Sequence, residues 1–133
     1  FAASPLAGEN SVAPGDRLPL VPDHQVKAGG LLRLPVGLQF GVDGRYTGRQ
    51  WLRGDEANET QPLGGYFVTN VRAGFSRASW EISAVVTNVF DSHRPIFGTF
   101  NENRQSGVLE RFLTPVNGRS FKLIVRRGFG AER

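Results

Sequence analysis

The sequence predicts an all-β fold, an antiparallel up-and-down meander of about five long strands. Three observations carry this. Apolar residues recur at every second position through several stretches, the period of a pleated strand whose faces meet different surroundings. Each run is about ten residues long, beyond the roughly five to six usual in a globular strand. Gly, Pro, Asn and Asp cluster between the runs, in alternately short and long stretches, and no helical period interrupts them.

Residues 1–23 carry Ser4-Pro5, Gly8-Glu9-Asn10, Pro14-Gly15-Asp16, Pro19 and Pro22 and read as an irregular loop, with a strand end at Phe1. Residues 24–46 read as a hairpin. Val26, Ala28, Gly30, Leu32 and Leu34 face one way, and Gln25, Lys27, Gly29, Leu31 and Arg33 the other. Pro35 has no N–H to give a ladder and marks the turn. Beyond it Val36, Leu38, Phe40, Val42 and Tyr46 oppose Gly37, Gln39, Gly41, Asp43 and Arg45. Residues 47–65, with Gly54-Asp55-Glu56-Ala57-Asn58-Glu59 and Gly64-Gly65, form a long polar loop.

The clearest alternation lies in 66–90, a second hairpin with a short turn at 76–79. Phe67, Thr69, Val71, Ala73 and Phe75 share a face with Trp80, Ile82, Ala84 and Val86 as its counterpart, leaving Asn70, Arg72, Glu81 and Ser83 opposite. Residues 91–118 are rich in Gly and Asn and read as a second long loop. The last strand is 119–129, with Phe121, Leu123, Val125 and Phe129 on one face and Lys122, Ile124 and Arg126 on the other.

Composition narrows the function classes. The chain has 133 residues, begins at Phe1 and has no Met, which points to one domain or part of one, as a fragment or processed chain. No stretch reaches the roughly 20 apolar residues of a membrane helix. The absence of Cys excludes disulfides and Cys-based zinc or redox sites. The net charge of +4 is almost wholly arginine: of 16 basic residues only Lys27 and Lys122 are lysine. They are scattered, without a Lys/Arg run or an aromatic-interleaved patch, so no nucleic-acid partner is expected.

Short turns at one end and long loops at the other is the layout of outer-membrane barrels, periplasmic and extracellular respectively. The faces agree. One is close to purely apolar; the other carries Lys27, Arg33, Asp43, Arg45, Arg72, Glu81, Lys122 and Arg126, charges that a water-facing lumen accepts and lipid does not. Tyr46, Phe67, Phe75, Trp80 and Phe129 fall near strand ends on the apolar face, where an interfacial girdle belongs. A soluble antiparallel barrel or sandwich, acting as a ligand- or partner-binding module, satisfies the same alternation, because it too has one apolar and one polar face.

Several stretches together resemble the C-terminal barrel strands of TonB-dependent outer-membrane receptors. They are Pro14-Gly-Asp-Arg-Leu-Pro-Leu-Val-Pro-Asp-His-Gln25, Gly48-Arg-Gln-Trp-Leu-Arg-Gly-Asp-Glu-Ala-Asn58, Leu63-Gly-Gly-Tyr66 and Val85-Val-Thr-Asn-Val-Phe-Asp91. In that family a strand opens after a Pro-x-His segment, a loop carries Gly-Asp-x-x-Asn, Gly-Tyr starts the next strand, and Asn-Leu-Phe-Asp ends the following one. Here the last is Asn88-Val89-Phe90-Asp91. Gly98-Thr99-Phe100 and the stretch to Gly118-Arg119 resemble the segment before the final strand. The resemblance covers most of the chain, in the family's order. Two departures stand out: family barrels end on an aromatic, whereas Gly130-Ala131-Glu132-Arg133 follows Phe129, and they have about 22 strands around a plug.

The resemblance implies a wall segment of a receptor that imports an iron–siderophore or similar scarce nutrient. Its implied partners are the rest of the barrel, the plug, a TonB-type energy transducer engaged through the missing N-terminal part, and outer-membrane lipid. An isolated segment of this kind is not transport-competent and is expected to self-associate through its sheet edges. Trp51, Arg53, Asp55, Glu56 and Asn58 are the extracellular-loop candidates.

No constellation points to an enzyme, a cofactor or a metal. Asp55, Glu56 and Glu59 cluster, but without the ligand spacing of a calcium loop, and read as a solvated acidic loop. Asp91-Ser92-His93 offers too few ligands, and Asp91 reads as a turn cap. His24 reads as a rim residue. There is no Gly-x-Ser-x-Gly elbow.

Overall fold

The computed structural model describes residues 12–129; the strand end expected at Phe1, the turns at Ser4-Pro5 and Gly8-Glu9-Asn10, and the tail 130–133 lie outside the described residues. The described chain is all strand and loop, without a helix: β1 Gln25–Arg33, β2 Leu38–Thr47, β3 Tyr66–Arg77, β4 Trp80–Thr87, β5 Pro95–Asn103, β6 Val108–Pro115 and β7 Ser120–Arg127. Five of them make one open sheet in the order β1-β2-β3-β4-β7, and β5 and β6 make a separate two-stranded sheet. The chain divides into two compact units. A sheet unit gathers Val26–Arg45, Phe67–Ser92 and the chain from Asn117 on; a loop unit gathers the chain up to Gln25 with Tyr46–Tyr66 and His93–Val116.

In the sheet unit the strands are antiparallel. Val71, Ala73 and Phe75 of β3 pair with Val86, Ala84 and Ile82 of β4, which pair in turn with Phe121, Leu123 and Val125 of β7. Directly opposed residues share a face, so these pairings build three apolar rows across the sheet. Between them lie the rows Arg72–Val85–Lys122, Gly74–Ser83–Ile124 and Ser76–Glu81–Arg126.

The turns explain the register. Pro35 and Val36 are the central residues of a turn closed by Gly37 N–H donating to Leu34 O at 3.1 Å. Val36 keeps a negative φ, which excludes a type II turn, and Gly37 follows at φ +86°, the left-handed residue of a three-residue hairpin loop. The β3–β4 turn is tighter, only Ala78 and Ser79, with Ala78 at φ +51°.

The stretch 91–118, expected to be loop, instead carries β5 and β6. Their register runs from Asn103↔Val108 to Pro95↔Pro115, with an irregularity at Pro95/Phe97. Two features hid them. Strand β5 starts at a proline and ends in Asn-Glu-Asn, while β6 places Val108 beside Leu109 and Phe112 beside Leu113, which breaks the two-residue period.

Burial separates the two units. Among the described residues the buried apolar side chains are Leu52 and Leu63, both in the loop unit. The sheet's apolar rows are open: Phe121 is 74 % exposed, Leu123 70 % and Leu32 58 %. Within the sheet unit, none of the described residues covers this face.

Candidate functional site

The polar face of the sheet collects the charges. Asp43 accepts a 2.8 Å hydrogen bond from Asn70 Nδ2 across β2 and β3, and Lys27, Arg45 and Val68 surround them in a shallow depression of about 460 Å³. Arg72 lies across the backbone of β2 at Gly41, where a Cβ would stand 2.4 Å from its Nε, so glycine there gives the guanidinium its bed. In the same way Gly74 makes room for Gln39. Lys122 stands in the row of Arg72. Glu81 and Arg126 are direct partners, with 3.5 Å between carboxylate and guanidinium and both side chains more than half exposed. Arg33 ends β1 and is exposed. Such an exposed pair contributes little stability.

The apolar face carries the aromatics. Phe67 lies over Gly44, where a Cβ would meet its ring at 2.7 Å. Tyr46 stacks on His24 with ring centroids 5.5 Å apart, and its hydroxyl fills the space beside Gly65. Phe75 sits in the apolar row with Ile82 and Val125, and Trp80 lies one row beyond, between Arg77 and Arg127. Phe129 follows the end of β7, where the Arg127 guanidinium lies 5.0 Å from its ring. From Phe67 to Arg77 the chain climbs about 33 Å along the strand, which at a usual tilt of about 40° spans about 25 Å, the height of a barrel's apolar band.

In the loop unit the two stretches that read as separate loops fold together. Gln50 and Leu63 exchange backbone hydrogen bonds, and the Gln50 side chain donates to Ile96 O at 2.6 Å. Arg53 N donates to Gly98 O at 2.9 Å and Arg53 O accepts from Phe100 N at 2.8 Å, so the loop adds to β5 as a parallel bridge. Leu52 fills the space over Gly98, against Leu113.

Asp55 corrects the expectation of a solvated acidic loop. It is 0 % exposed and accepts from Glu59 N at 2.8 Å, Thr60 N at 3.0 Å and Thr60 Oγ1 at 2.6 Å. Asn58, at φ +56°, donates to Arg17 O at 3.0 Å and accepts from Arg17 N–H. The Gly-Asp-x-x-Asn pattern is therefore a structural knot: a buried carboxylate satisfied by the turn it closes, and a left-handed Asn tying the preceding segment down. Glu56 is different. One of its oxygens accepts from Gly54 N at 3.2 Å, while the other is shielded from solvent without a hydrogen-bond partner. Glu56 and the exposed Arg53 line two depressions of about 500 and 460 Å³, the first walled by Leu18, Pro19, Leu20 and Val21. Trp51 is half-buried, its carbonyl accepting from Leu20 N at 2.8 Å.

Two further polar residues fall within the stretches quoted from the sequence, which assigned neither of them a role. Asp23 binds Arg49 at 2.6 Å and Arg17 at 3.2 Å, and the Arg49 hydrogen bond chiefly holds its carboxyl below the ordinary range. Asn88, at φ +51°, donates to Ser92 O and Asn117 O, both at 2.9 Å, and accepts from Ser92 N at 3.0 Å. Asp91, at φ +52°, accepts from Arg119 N at 2.8 Å. Among the described residues no cluster of His, Asp and Glu could hold a metal ion.

The comparisons bear on this geometry directly. The family model for the TonB dependent receptor-like β-barrel matches residues 3–89. The chain belongs to this family. No curated protein and no solved structure matches it. A TonB-dependent receptor barrel is an outer-membrane protein of Gram-negative bacteria and a receptor or transporter, not an enzyme. Its sheet faces lipid and water in turn, which accounts for a fold that leaves an apolar face open. The match takes in β1 to β4, Asp23, the Asp55 turn and Asn88.

Proposed function

We propose that the chain forms part of the wall and the extracellular surface of a TonB-dependent receptor, near the barrel's C-terminus, for energised uptake of an iron–siderophore or a similar scarce nutrient. The observation that carries this is the sorting of the open sheet. Apolar rows stand on one face and Arg72, Glu81, Lys122 and Arg126 on the other, Lys27, Asp43 and Arg45 gather around Asn70, and alternation assigns Arg33 to the same side, in a chain of this family. The charged face lines the lumen toward a plug. The short turns at Pro35 and Ala78 face the periplasm, and the long connections 47–65 and 91–118 are extracellular.

Both edge strands, β1 and β7, carry unpaired backbone groups that hydrocarbon does not tolerate, so the remaining strands of the barrel are their partners. Without them the edges pair with a second copy. The energy for import comes from a TonB-type partner acting through the plug. Among the loop candidates Arg53 is the one we assign to a ligand, because its exposed side chain lines both depressions while those of Asp55 and Asn58 hold the turn and the Glu56 carboxylate is turned inward.

The test is uptake of labelled ferric siderophore by cells depending on the full-length receptor. Arg53→Ala is expected to raise the half-saturating concentration about tenfold, the loss of one charge-assisted contact, with the receptor's level in the outer membrane unchanged. Uptake identical with and without the receptor, across a panel of iron chelates, excludes this substrate class.

A further inference from the structure

At the short-turn end of the sheet the last row on the apolar face is not apolar. Arg77 of β3, Trp80 of β4 and Arg127 of β7 are direct cross-strand partners. The row beside it toward the middle of the sheet is Phe75–Ile82–Val125. At the same height the opposite face carries Ser76–Glu81–Arg126, so each face has a basic rim, but only one has a carboxylate. Arg126 meets Glu81 at 3.5 Å; Glu81 points away from Arg77 and Arg127, and that row contains no acid.

Arg127 is held by aromatic rings instead. Its guanidinium lies 5.2 Å from the ring of Trp80 and 5.0 Å from that of Phe129. A guanidinium over a ring face keeps its in-plane N–H donors free, and those donors match two oxygens of a phosphate. Trp80 and Phe129 are both exposed. A cationic row with aromatic supports, bordered by open apolar rows, is complementary to one kind of molecule: an anionic head joined to hydrocarbon.

We propose that Arg77, Trp80, Arg127 and Phe129 form a headgroup site for an anionic glycerophospholipid of the periplasmic leaflet, its phosphodiester between the two guanidiniums and its acyl chains along Phe75, Ile82 and Val125. This rests on the orientation proposed above. The site pins the wall's height in the bilayer at its periplasmic rim, while the Glu81–Arg126 row marks the same level on the wet side.

The experiment is native mass spectrometry of the full-length receptor in detergent, titrated with phosphatidylglycerol. A charge at a membrane surface contributes about fivefold in affinity, so Arg77→Gln or Arg127→Gln is expected to weaken the lipid adduct about fivefold and the pair about 25-fold. Arg126→Gln, at the same height on the other face, is expected to leave it unchanged, and the charge-retaining pair R77K/R127K to keep most of it. An adduct unaffected by the Arg77 and Arg127 changes, or one lost equally with Arg126→Gln, overturns the site. Quantitative displacement by millimolar inorganic phosphate also overturns it, as an ion site only. Failure of the barrel reading shows separately, as absence of a heat-modifiable outer-membrane band before any lipid is added.

Discussion

Asn88 shows how a single side chain can end a strand. Both its amide hydrogens and its carbonyl oxygen are used within the sheet unit, and its φ of +51° turns the chain out of β4. An Ala there strands Asn117 O and Ser92 N–H and adopts the left-handed region poorly. Asn88→Ala is expected to cost about 3 kcal/mol, read as a lower urea midpoint of the detergent-refolded receptor. Asn88→Asp keeps the acceptor for Ser92 N–H but sets a buried carboxylate oxygen against the Ser92 and Asn117 carbonyls, and should cost at least as much. The motif Asn-x-Phe-Asp was legible as a pattern, yet its reason was not: nothing local says that Asn117, distant in sequence, supplies an acceptor. Asp55 is the mirror case. Three acidic residues in five positions looked solvated, and only the returning Glu59 and Thr60 amides reveal why one of them is buried.

At the scale of elements, period-2 alternation found β1 to β4 and β7 because each has two faces in different surroundings. It missed β5 and β6. These build against the loop 48–63 and a small core at Leu52, so their burial follows tertiary partners and not a uniform face. The charged residues of the sheet could be assigned to one face by counting; the loop residues could not be ranked until Asp55 and Asn58 proved occupied and Arg53 exposed. The hairpin turns give a sharper test of the sheet's geometry. Gly37 has φ +86°, and a Cβ on it would stand 2.1 Å from Ser76 O on the neighbouring strand. Gly37→Ala is expected to destabilise by about 2 kcal/mol or more, whereas Gly30→Ala, with nothing within 4 Å of the new Cβ, should be nearly neutral. Equal midpoints for the two variants in a denaturant titration would contradict the turn geometry.

At the scale of the whole molecule the fold makes sense only with two solvents. Open apolar rows such as Val86–Phe121 would drive aggregation in water, and the charged rows between them would be expelled from a sheet buried on both sides. The proposed receptor wall would resolve both, with lipid on one face, a hydrated lumen on the other and neighbouring strands at the β1 and β7 edges. This two-solvent arrangement can be read along one strand. The chain has no cysteine, so single nitroxide labels can be placed at Ser83, Ala84, Val85 and Val86 of β4 in an otherwise Cys-free receptor reconstituted in bilayers. Collision with oxygen, which concentrates in lipid, is expected to dominate at Ala84 and Val86, and collision with a water-soluble nickel chelate at Ser83 and Val85. Absence of this two-residue alternation, or its inversion, would contradict the account.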